Sequence, residues 1–487
     1  MPFENMEAIV LAAGKSTRFK TERNKLLEKI CGQEIILFST KLLEQMDIKT
    51  TIVIGYQKEL IKETVKSPHQ NRIDFVEQTE QLGTGHAVAC AKNKCEKEHI
   101  LILNGDVPLI TKEIIEKLYN KHVESDSVIS FVTSHYTGPD HTYGRVIFDN
   151  NGIKIVEAKD FKQNMNDLHC CINAGIYLVK KAFLEEYICK IEKSSVTNEF
   201  YLTSIIETAS KSHLNVETIK APLDKIRGVN TFEELWAAEQ IKRSELIKHW
   251  MRNGVRFNVA QNIHIDIDVE IGSGTEIECG VHLIGKTTIG KNCKIRKFSS
   301  IENTILEDNV EIFPNCVIRD SRIKKESQVG PFAHIHTQTN IEKETIIGNF
   351  VEIKQSTIGK YTHAKHHAYL GNATIGSRVN IGAGTITCNH DGITKHQTTI
   401  KNNAYIGSNN TLVAPVTIEQ NAFTAAGSTI TENIPKNCLA IGRSRQINKE
   451  DYVQTLFEKL KQKSLKLNGK KTAPYIPATK ENERDLT

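Results

Sequence analysis

A short basic loop follows the first apolar segment of the chain. Residues 7–13 (EAIVLAA) are typical of a buried strand, and residues 14–18 (GKSTR) come directly after them. A glycine-bearing loop after a strand presents backbone N–H groups that bind phosphate, and Lys15 and Arg18 add positive charge. The loop matches neither G-x-x-x-x-G-K-[ST] nor G-x-G-x-x-G, so an ordinary strand–helix turn with basic surface residues explains it equally well at this point.

A carboxylate follows another apolar strand. Residues 100–103 (ILIL) are followed by Asn104, Gly105 and Asp106. This position suits a ligand of Mg²⁺ beside a phosphate, because Mg²⁺ prefers hard oxygen ligands. The alternative is an aspartate that caps the next helix, since Asn-Gly-Asp is a turn-forming sequence.

Histidines cluster in the second half of the chain, at His363, His366 and His367, shortly after Lys354. Three interpretations are open. The cluster binds a metal, although no carboxylate or cysteine completes a ligand set at a usable spacing. It lines an exposed face without a function. Or one histidine is a general base in a sugar-phosphate pocket, which is the interpretation that we favour.

Aliphatic residues recur every six residues between about Val269 and Ile430. The two cleanest runs are Ile271, Ile277, Leu283, Ile289, Ile295 and Ile301, and Ile400, Ile406, Leu412, Ile418, Thr424 and Ile430. A period of six matches neither an amphipathic helix nor a half-buried strand. It predicts a hexapeptide β-helix, in which each side of a coil points one apolar side chain inward and stacked coils bury a continuous core. Chance spacing in an ordinary β-rich domain is the alternative, and glycines in register with the repeat argue against it.

Apolar strands and helical segments alternate before the repeats. Residues 7–13, 51–55 and 100–103 are typical of buried strands, and residues 37–46 of a helix. Alternating β and α units predict a mostly parallel sheet with a site at the C-terminal ends of its strands. Residues 231–251 predict a long helix that connects two separately folded halves, or else one more surface helix of the first half.

Composition and charge limit the class of protein. The chain has 487 residues, of which 39% are hydrophobic and 25% charged, so we expect two or more globular domains. A net charge of +5 is too small to indicate nucleic-acid binding and is compatible with anionic small substrates. The 11 cysteines include no C-x-x-C pair, which predicts reduced thiols in a cytoplasmic protein. We expect neither a signal peptide nor a membrane-spanning segment.

Several motifs together resemble those of sugar-nucleotide pyrophosphorylases. They are residues 11–18 (LAAGKSTR) with Lys25, residues 81–86 (QLGTGH), 105–109 (GDVPL), 143–145 (YGR), Glu157, 173–175 (NAG) and 228–230 (GVN). Together with hexapeptide repeats, they resemble the bifunctional bacterial enzymes that make UDP-N-acetylglucosamine for the cell wall, over residues 7–445 or so. The resemblance implies a Rossmann-like α/β nucleotidyltransferase domain followed by a left-handed parallel β-helix.

The same resemblance implies two activities in a cytoplasmic homotrimer that binds neither nucleic acid nor membrane. A glucosamine-1-phosphate N-acetyltransferase uses acetyl-CoA, and an N-acetylglucosamine-1-phosphate uridylyltransferase uses UTP and Mg²⁺. Arg18 would neutralise the leaving pyrophosphate, Lys25 would bind phosphate, and Asp106 and Asn230 would hold Mg²⁺. The residues expected to bind UTP or UDP-N-acetylglucosamine are Leu11, Ala13, Gly14, Lys25, Gln78, Gly83, Thr84, Gly144, Glu157, Asn173 and Asn230.

For the acetyltransferase, the resemblance makes His366 the base that takes a proton from the glucosamine amine, with Glu352 orienting its imidazole. A backbone N–H, at Ala383, would stabilise the tetrahedral oxyanion. The residues expected to hold the sugar and its phosphate are His334, Lys354, Tyr369, Asn380 and Asn389. Those expected to contact acetyl-CoA are Ala383, Asn389, His390, Ser408, Ala426 and Arg443.

Five positions depart from the family pattern. Ser16 replaces a glycine and Asn104 an aromatic or small residue, and neither change removes a charged group. His334 and His336 stand where relatives carry basic residues, an arginine for the sugar phosphate among them, and His390 stands where a tyrosine is usual. Because imidazole is only partly charged near pH 7 and offers no bidentate fork, we expect weaker or more pH-sensitive phosphate binding, or a changed acceptor.

We expect four segments. They are a uridylyltransferase domain at 1–230, a linker helix at 231–252, the acetyltransferase β-helix at 253–447, and a C-terminal helix with a mobile tail at 448–487. Two other functions stay open. One is a uridylyltransferase whose β-helix serves only for trimerisation. The other is a non-catalytic regulatory subunit, which the presence of every expected charged residue of the first site disfavours.

Overall fold

The computed structural model describes residues 3–69, 73–136, 143–149, 152–160 and 170–466. The chain divides into two compact units, one through Ala440 and one from Ile441 onward. The domain limits expected at residues 230, 252 and 447 stay predictions, and the tail expected at 467–487 lies outside the described residues.

The first part of the chain folds as an α/β layer structure. Its strands are β1 (Met6–Ala12), β2 (Lys29–Ile30), β3 (Gln33–Glu34), β4 (Lys49–Ile54), β5 (Ile73–Glu77), β6 (His99–Asn104), β7 (Ile129–His135), β8 (Arg145–Asp149), β9 (Gly152–Val156), β10 (Cys171–Lys180) and β11 (Val216–Lys220). Its helices are α1 (Ile35–Gln45), α2 (Lys58–His69), α3 (Thr84–Ala91), α4 (Lys112–Glu124), α5 (Lys181–Tyr187), α6 (Ser204–Lys211) and α7 (Leu223–Ile226).

The main sheet of this part runs in the order β11-β7-β10-β6-β1-β4-β5. Strands β6, β1, β4 and β5 are parallel neighbours, β11 is parallel to β7, and β10 is antiparallel to both β6 and β7. The mostly parallel sheet predicted from the sequence is therefore confirmed. Successive residues of β1 point to opposite faces, so that Ile9 and Val10, both fully buried, belong to different apolar clusters.

A long helix, α8 (Phe232–Arg252), joins the two parts of the first unit. Thr231 caps it, because its side-chain oxygen accepts a hydrogen bond from the Glu234 N–H at 3.1 Å. Ala238 is buried in the core of the α/β part, whereas Ile247 is buried in the core of the repeat region. The helix is thus packed against both cores.

From Arg256 to Ala440 the chain forms a left-handed parallel β-helix with three faces. The first face comprises Arg256–Phe257, Glu276–Ile277, Lys294–Ile295, Glu311–Ile312, Gln328–Val329, Ile346–Asn349, His363–His366, Asn380–Ile381, Tyr405–Ile406, Phe423–Thr424 and Leu439–Ala440. The second face comprises His264–Ile265, His282–Ile284, Ser300–Glu302, Val317–Arg319, His334–His336, Glu352–Lys354, Tyr369–Gly371, Ile386–Cys388, Thr411–Val413 and Thr429–Ile430. The third face comprises Glu270–Ile271, Thr288–Ile289, Ile305–Leu306, Arg322–Ile323, Asn340–Ile341, Thr357–Ile358, Ala373–Ile375, Thr398–Ile400 and Val416–Ile418.

Most strands of the β-helix place an apolar residue inward, directly above its equivalent in the next coil, and Thr387 and Thr424 take this inward position in two of them. Ile277, Ile295 and Ile312 stack in this way on the first face, and each is 0% exposed. This stacking confirms the interpretation of the six-residue period. The glycines that follow the apolar residue also have a structural reason at Gly272, where an added Cβ would lie 2.6 Å from the carbonyl of Gly290 in the next coil.

The second unit contains one described helix, α9 (Tyr452–Lys466), where the sequence predicts an amphipathic helix. Its apolar side chains Tyr452, Val453, Leu456 and Leu460 are exposed. Among the described helices, none is long and apolar enough to cross a membrane.

The inward stack of the third face provides a direct test of the fold. Leu306 is 1% exposed and its neighbour Ile305 is 42% exposed. We expect Leu306→Ala to destabilise the β-helix by about 2–5 kcal/mol, because it leaves a cavity, and Ile305→Ala to cost less than about 1 kcal/mol. Urea denaturation followed by far-UV circular dichroism measures both changes. Equal losses in the two variants would contradict the assigned inward and outward positions.

Two candidate active sites

The first candidate site lies where β1, β4 and β6 end, at one edge of the parallel sheet. The loop after β1 turns at Ser16, which has φ 56°, and continues into a short 3₁₀ helix at Thr17–Phe19. A glycine would adopt this left-handed conformation without strain, so Ser16 costs about 1 kcal/mol here. Its hydroxyl accepts a hydrogen bond from the Lys25 N–H at 3.2 Å, which ties the loop to the next basic residue.

Four predicted residues of this site meet in one polar cluster. The Lys25 ammonium bonds to a carboxylate oxygen of Asp106 and lies 2.7 Å from Oδ1 of Asn230. Arg18 donates to the same Asn230 oxygen at 2.7 Å. A backbone hydrogen bond from Val229 to the Asp106 carbonyl, 2.9 Å long, holds the two segments side by side. Residues more than 200 positions apart in the sequence are thereby brought together.

This cluster fits a divalent cation. Asp106 and Asn230 present a carboxylate and an amide oxygen, the ligand types that Mg²⁺ prefers, and both oxygens contact the single ammonium nitrogen of Lys25. They are therefore close enough to share one ion. Arg18 and Lys25 leave the surroundings positively charged, which favours phosphate groups.

The residues expected near the uridine surround the ends of β1 and β5 and the start of α3. Gln78 follows β5, is 3% exposed, and donates to the Gly83 carbonyl at 3.1 Å. Gly83 has φ 110° and precedes α3, whose first residue, Thr84, accepts a hydrogen bond from the Leu202 N–H at 3.0 Å. Gly14 is open to solvent, because an added Cβ there would have no atom within 4 Å. Gln78 and Gly83 are thus packed at this edge of the sheet, and their contact with the base stays a prediction.

The expected sugar residues form a neighbouring group. The Asn173 N–H donates to the Gly144 carbonyl at 2.9 Å, and a Cβ added at Gly144 would lie 3.5 Å from the Glu157 carboxylate. Thr203 donates to Glu157 at 2.7 Å. Burial raises the pKa of Glu157, and the Thr203 hydrogen bond opposes that shift.

Two further first-site residues have clear positions. Leu11, in β1, is half-buried, and its carbonyl accepts a hydrogen bond from the Gly105 N–H at 2.9 Å. Ala13 is buried and accepts from the Tyr56 N–H at 3.3 Å. The unusual Asn104 fills the space beside Gly175, which has φ 70° and no room for a side chain. The Asn104 side chain is thus a packing element of the sheet edge.

The second candidate site follows one corner of the β-helix, between the first and second faces. Successive coils place Asn349, His366, Ala383, Ser408 and Ala426 at this corner. Backbone hydrogen bonds link the coils, for example from Asn409 to the Ala383 carbonyl and from Gly427 to the Ser408 carbonyl at 2.8 Å. The predicted base and three predicted acetyl-CoA residues therefore form one exposed column.

Asn349, not Glu352, orients the His366 ring. Nδ1 of His366 lies 3.1 Å from Oδ1 of Asn349, one coil below. The Glu352 carboxylate instead faces Nε2 of His336 at 3.2 Å. This corrects the expectation that Glu352 orients His366. With Nδ1–H donating to the amide oxygen, Nε2 of His366 carries the lone pair that a general base needs.

The expected sugar-phosphate residues lie mainly on the second face. Register pairs place Glu352 between His334 and Tyr369, and Lys354 above His336. Burial lowers the pKa of His334, and His336 beside it lowers the pKa further. His334 is therefore neutral near pH 7 and cannot replace the charge of an arginine.

The remaining predicted residues are dispersed. Asn380 lies on the first face, in register with His363, and so on a different side of the coil from Lys354. Asn389 and the exposed His390 begin a loop that protrudes between coils, and Asn389 donates to the Asn372 side chain at 2.6 Å. Arg443 lies in the second unit, and its expected contact with acetyl-CoA stays a prediction.

Comparisons with known proteins agree with this architecture. Residues 8–158 match the family model of the MobA-like NTP transferase domain. The bifunctional protein GlmU of Clostridium botulinum is 40% identical over 451 residues, covering 92% of this chain and 97% of the relative. The bifunctional protein GlmU of Streptococcus agalactiae is 41% identical over 456 residues, covering 91% and 97%. That of Thermodesulfovibrio yellowstonii is 40% identical over 449 residues, covering 91% and 98%.

The chain therefore has a nucleotidyltransferase sheet followed by a left-handed β-helix, with the exposed column at His366 on one corner of the coils. This is the architecture of a transferase with two separate candidate sites. The chain belongs to the family of the bifunctional protein GlmU. It is accordingly a nucleotidyltransferase and an N-acetyltransferase. The third possibility, a non-catalytic regulatory subunit, is thereby set aside.

The raised pKa of Glu157 leads to a pH-dependent prediction. As pH falls through this pKa, the carboxylate takes up a proton and becomes a weaker acceptor for the hydrogen bonds expected from sugar hydroxyls. The KM for N-acetylglucosamine-1-phosphate should therefore rise toward acidic pH in the wild-type protein. Glu157→Gln should have a high KM that does not change over the same range. Steady-state kinetics of pyrophosphate release would test this, and a wild-type KM independent of pH would contradict it.

Proposed function

We propose that the cluster of Arg18, Lys25, Asp106 and Asn230 carries the uridylyltransferase activity, and that the corner column at His366 carries the acetyltransferase activity. The chain is a bifunctional enzyme of UDP-N-acetylglucosamine synthesis. The observation that supports the first assignment best is the convergence of Asp106 and Asn230 on one cationic nitrogen, with Arg18 2.7 Å from Asn230.

In the uridylyltransferase reaction, a phosphate oxygen of N-acetylglucosamine-1-phosphate attacks the α-phosphorus of UTP. The bond from that phosphorus to the bridging oxygen breaks, and pyrophosphate leaves. Mg²⁺ held by Asp106 and Asn230 would supply charge neutralisation at the phosphates. Arg18 would donate to the departing pyrophosphate, and Lys25 would move from the carboxylate to a phosphate oxygen.

In the acetyltransferase reaction, the amine of glucosamine-1-phosphate attacks the thioester carbonyl of acetyl-CoA. His366 takes the amine proton through Nε2, because Asn349 holds Nδ1. The tetrahedral intermediate collapses with cleavage of the C–S bond, and the imidazolium returns the proton to the CoA thiolate. The N–H of Ala383, one coil above His366, would stabilise the oxyanion.

We also propose a homotrimer with acetyl sites between subunits. The support is that the expected residues of one chain are spread over two faces, with Asn380 on the first and Lys354 on the second. Parallel packing of β-helices would bring the first face of one copy next to the second face of another. We place the enzyme in the cytoplasm, where its nucleotide and acetyl-CoA substrates are made.

Two substitutions separate the activities. Asp106→Asn should lower pyrophosphate release from UTP and N-acetylglucosamine-1-phosphate by about 10²–10³-fold, and should leave acetylation unchanged. His366→Ala should lower thiol release from acetyl-CoA and glucosamine-1-phosphate by about 10²–10⁴-fold, and should leave pyrophosphate release unchanged.

His363→Ala provides a matched control, because His363 lies on the same strand as His366 and has no proposed role. It should retain both activities. Loss of both activities in either site variant, with the protein still folded, would contradict two independent sites. Wild-type protein that releases pyrophosphate but no thiol would indicate the alternative, in which the β-helix serves only for trimerisation.

The positioning role of Asn349 predicts a specific kinetic effect. Asn349→Ala removes the acceptor 3.1 Å from Nδ1 of His366, so the imidazole loses its fixed orientation and tautomer. We expect kcat of acetylation to fall about 10–100-fold with little change in the KM for either substrate. The pH–rate profile should also shift, and Asn349→Gln should restore part of the rate. An unchanged kcat would rule this role out.

A further inference from the structure

A second group of potential ligands lies on the second face of the β-helix. His334 and His336 belong to one strand, and Glu352 is the register partner of His334 in the next coil. One ligand atom from each residue lies within 4.8 Å of the other two. Among the described residues, this is the one group of three or more histidine, cysteine, aspartate or glutamate residues whose ligand atoms are close enough together to hold a metal ion.

The strand geometry places both imidazoles on the same side. Residues two apart in a strand point the same way, and Ile335 between them points into the core with 0% exposure. The two rings are stacked, with centroids 4.2 Å apart and planes 11° apart. Both rings have a nitrogen within 4.8 Å of a Glu352 carboxylate oxygen. Neutral imidazole is the form that binds metal ions.

The hydrogen bonds of His336 also fit a metal ligand. Nδ1 lies 2.9 Å from the hydroxyl oxygen of Thr337, and Nε2 faces the Glu352 carboxylate at 3.2 Å. Metal-binding histidines usually donate their other ring N–H to a neighbouring oxygen, as Nδ1 is placed to do here. In that tautomer, the Nε2 lone pair of a neutral ring points at a carboxylate. A cation between the two groups removes this repulsion.

We propose that His334, His336 and Glu352 bind a divalent transition-metal ion, and that its open coordination position binds the phosphate of the acetyl acceptor. Two imidazoles and one carboxylate are a ligand set that Zn²⁺ accepts, at about 2.0–2.2 Å per bond. Tetrahedral ligands at that distance are roughly 3.4 Å apart, so the present group needs only small side-chain movements.

Three protein ligands leave one position of a tetrahedral ion for an outside group. The surroundings favour an anion there, because Lys354 lies in register above His336, and both Lys354 and Arg319 act electrostatically on His334. A divalent ion bound to two neutral imidazoles and one carboxylate forms a group with a net positive charge. It would supply the positive charge that the neutral His334 lacks. This second part of the proposal rests on the acetyl acceptor being a sugar phosphate, as proposed above.

The metal site can be tested without any activity. Tag-free, full-length protein is stripped with a chelator, dialysed and titrated with Zn²⁺ against a chromogenic competitor, and with Co²⁺ while visible absorption is recorded. We expect one tight site per chain and a tetrahedral Co²⁺ band. His334→Asn and Glu352→Gln should each weaken binding at least tenfold. His282→Asn is the matched control, since His282 is an exposed histidine of the same face and should not affect binding.

Binding that is equally tight in His334→Asn and the wild-type protein, or no tight site at all, would overturn the proposal. This result does not depend on acetyl transfer, so failure of the metal site and failure of the proposed function are distinguishable. Circular dichroism confirms that each variant is folded before titration.

The phosphate part is tested with inorganic phosphate and with glucosamine-1-phosphate. Either should shift the Co²⁺ band of the wild-type protein, and glucosamine itself should not. In the thiol assay, which needs no Mg²⁺, removal of the metal should raise the KM for glucosamine-1-phosphate at least tenfold, and Zn²⁺ should restore it. His334→Arg should make this KM insensitive to the chelator, because a guanidinium binds the phosphate directly. A Co²⁺ band that phosphate leaves unchanged would overturn this part.

Discussion

The stacking of one coil directly on the next is the constraint on which the second half of this enzyme depends. Each inward aliphatic residue, such as Ile353 at 0% exposure, packs on its equivalents in the coils above and below, and this locks the register between coils. Because the register between coils is fixed, the positions of the outward side chains relative to those in neighbouring coils are fixed as well. His366 is then held above Asn349 and below Ala383, so that the Asn349 side chain can orient the imidazole ring.

The two candidate sites offer different chemical groups to a phosphate. At the edge of the α/β sheet, Arg18 and Lys25 supply permanent positive charge, and Asp106 with Asn230 supplies hard oxygen ligands. On the β-helix, His334 does not supply such a charge, because burial lowers its pKa. The second site would therefore take its positive charge from Lys354 and from the proposed metal ion, whereas Arg18 and Lys25 carry theirs permanently.

Prediction from the sequence succeeded where a local pattern carries the information. The six-residue period and its glycines indicate the β-helix, since each coil repeats the same contacts. The family motifs also indicate His366, Asp106 and Asn230, whose roles stay predictions. Asn349 was missed as the partner of His366, although it lies one coil earlier, because pairing across coils requires the register. Glu352 was assigned to the wrong histidine for the same reason: it lies in register with His334, not with His366.

The sequence by itself determined the two folds, the order of the domains along the chain and the chemical types at each site. The spacing of apolar residues along the chain specifies which side chains point inward. That information is sufficient to predict the strands of the sheet and the coils of the β-helix. Tertiary structure alone decided which outward residues meet. Asp106 and Asn230 come together because a hydrogen bond joins Val229 to Asp106. Glu352 joins His334 and His336 because its strand stacks on theirs in the next coil, and that register depends on contacts between coils that no local pattern specifies.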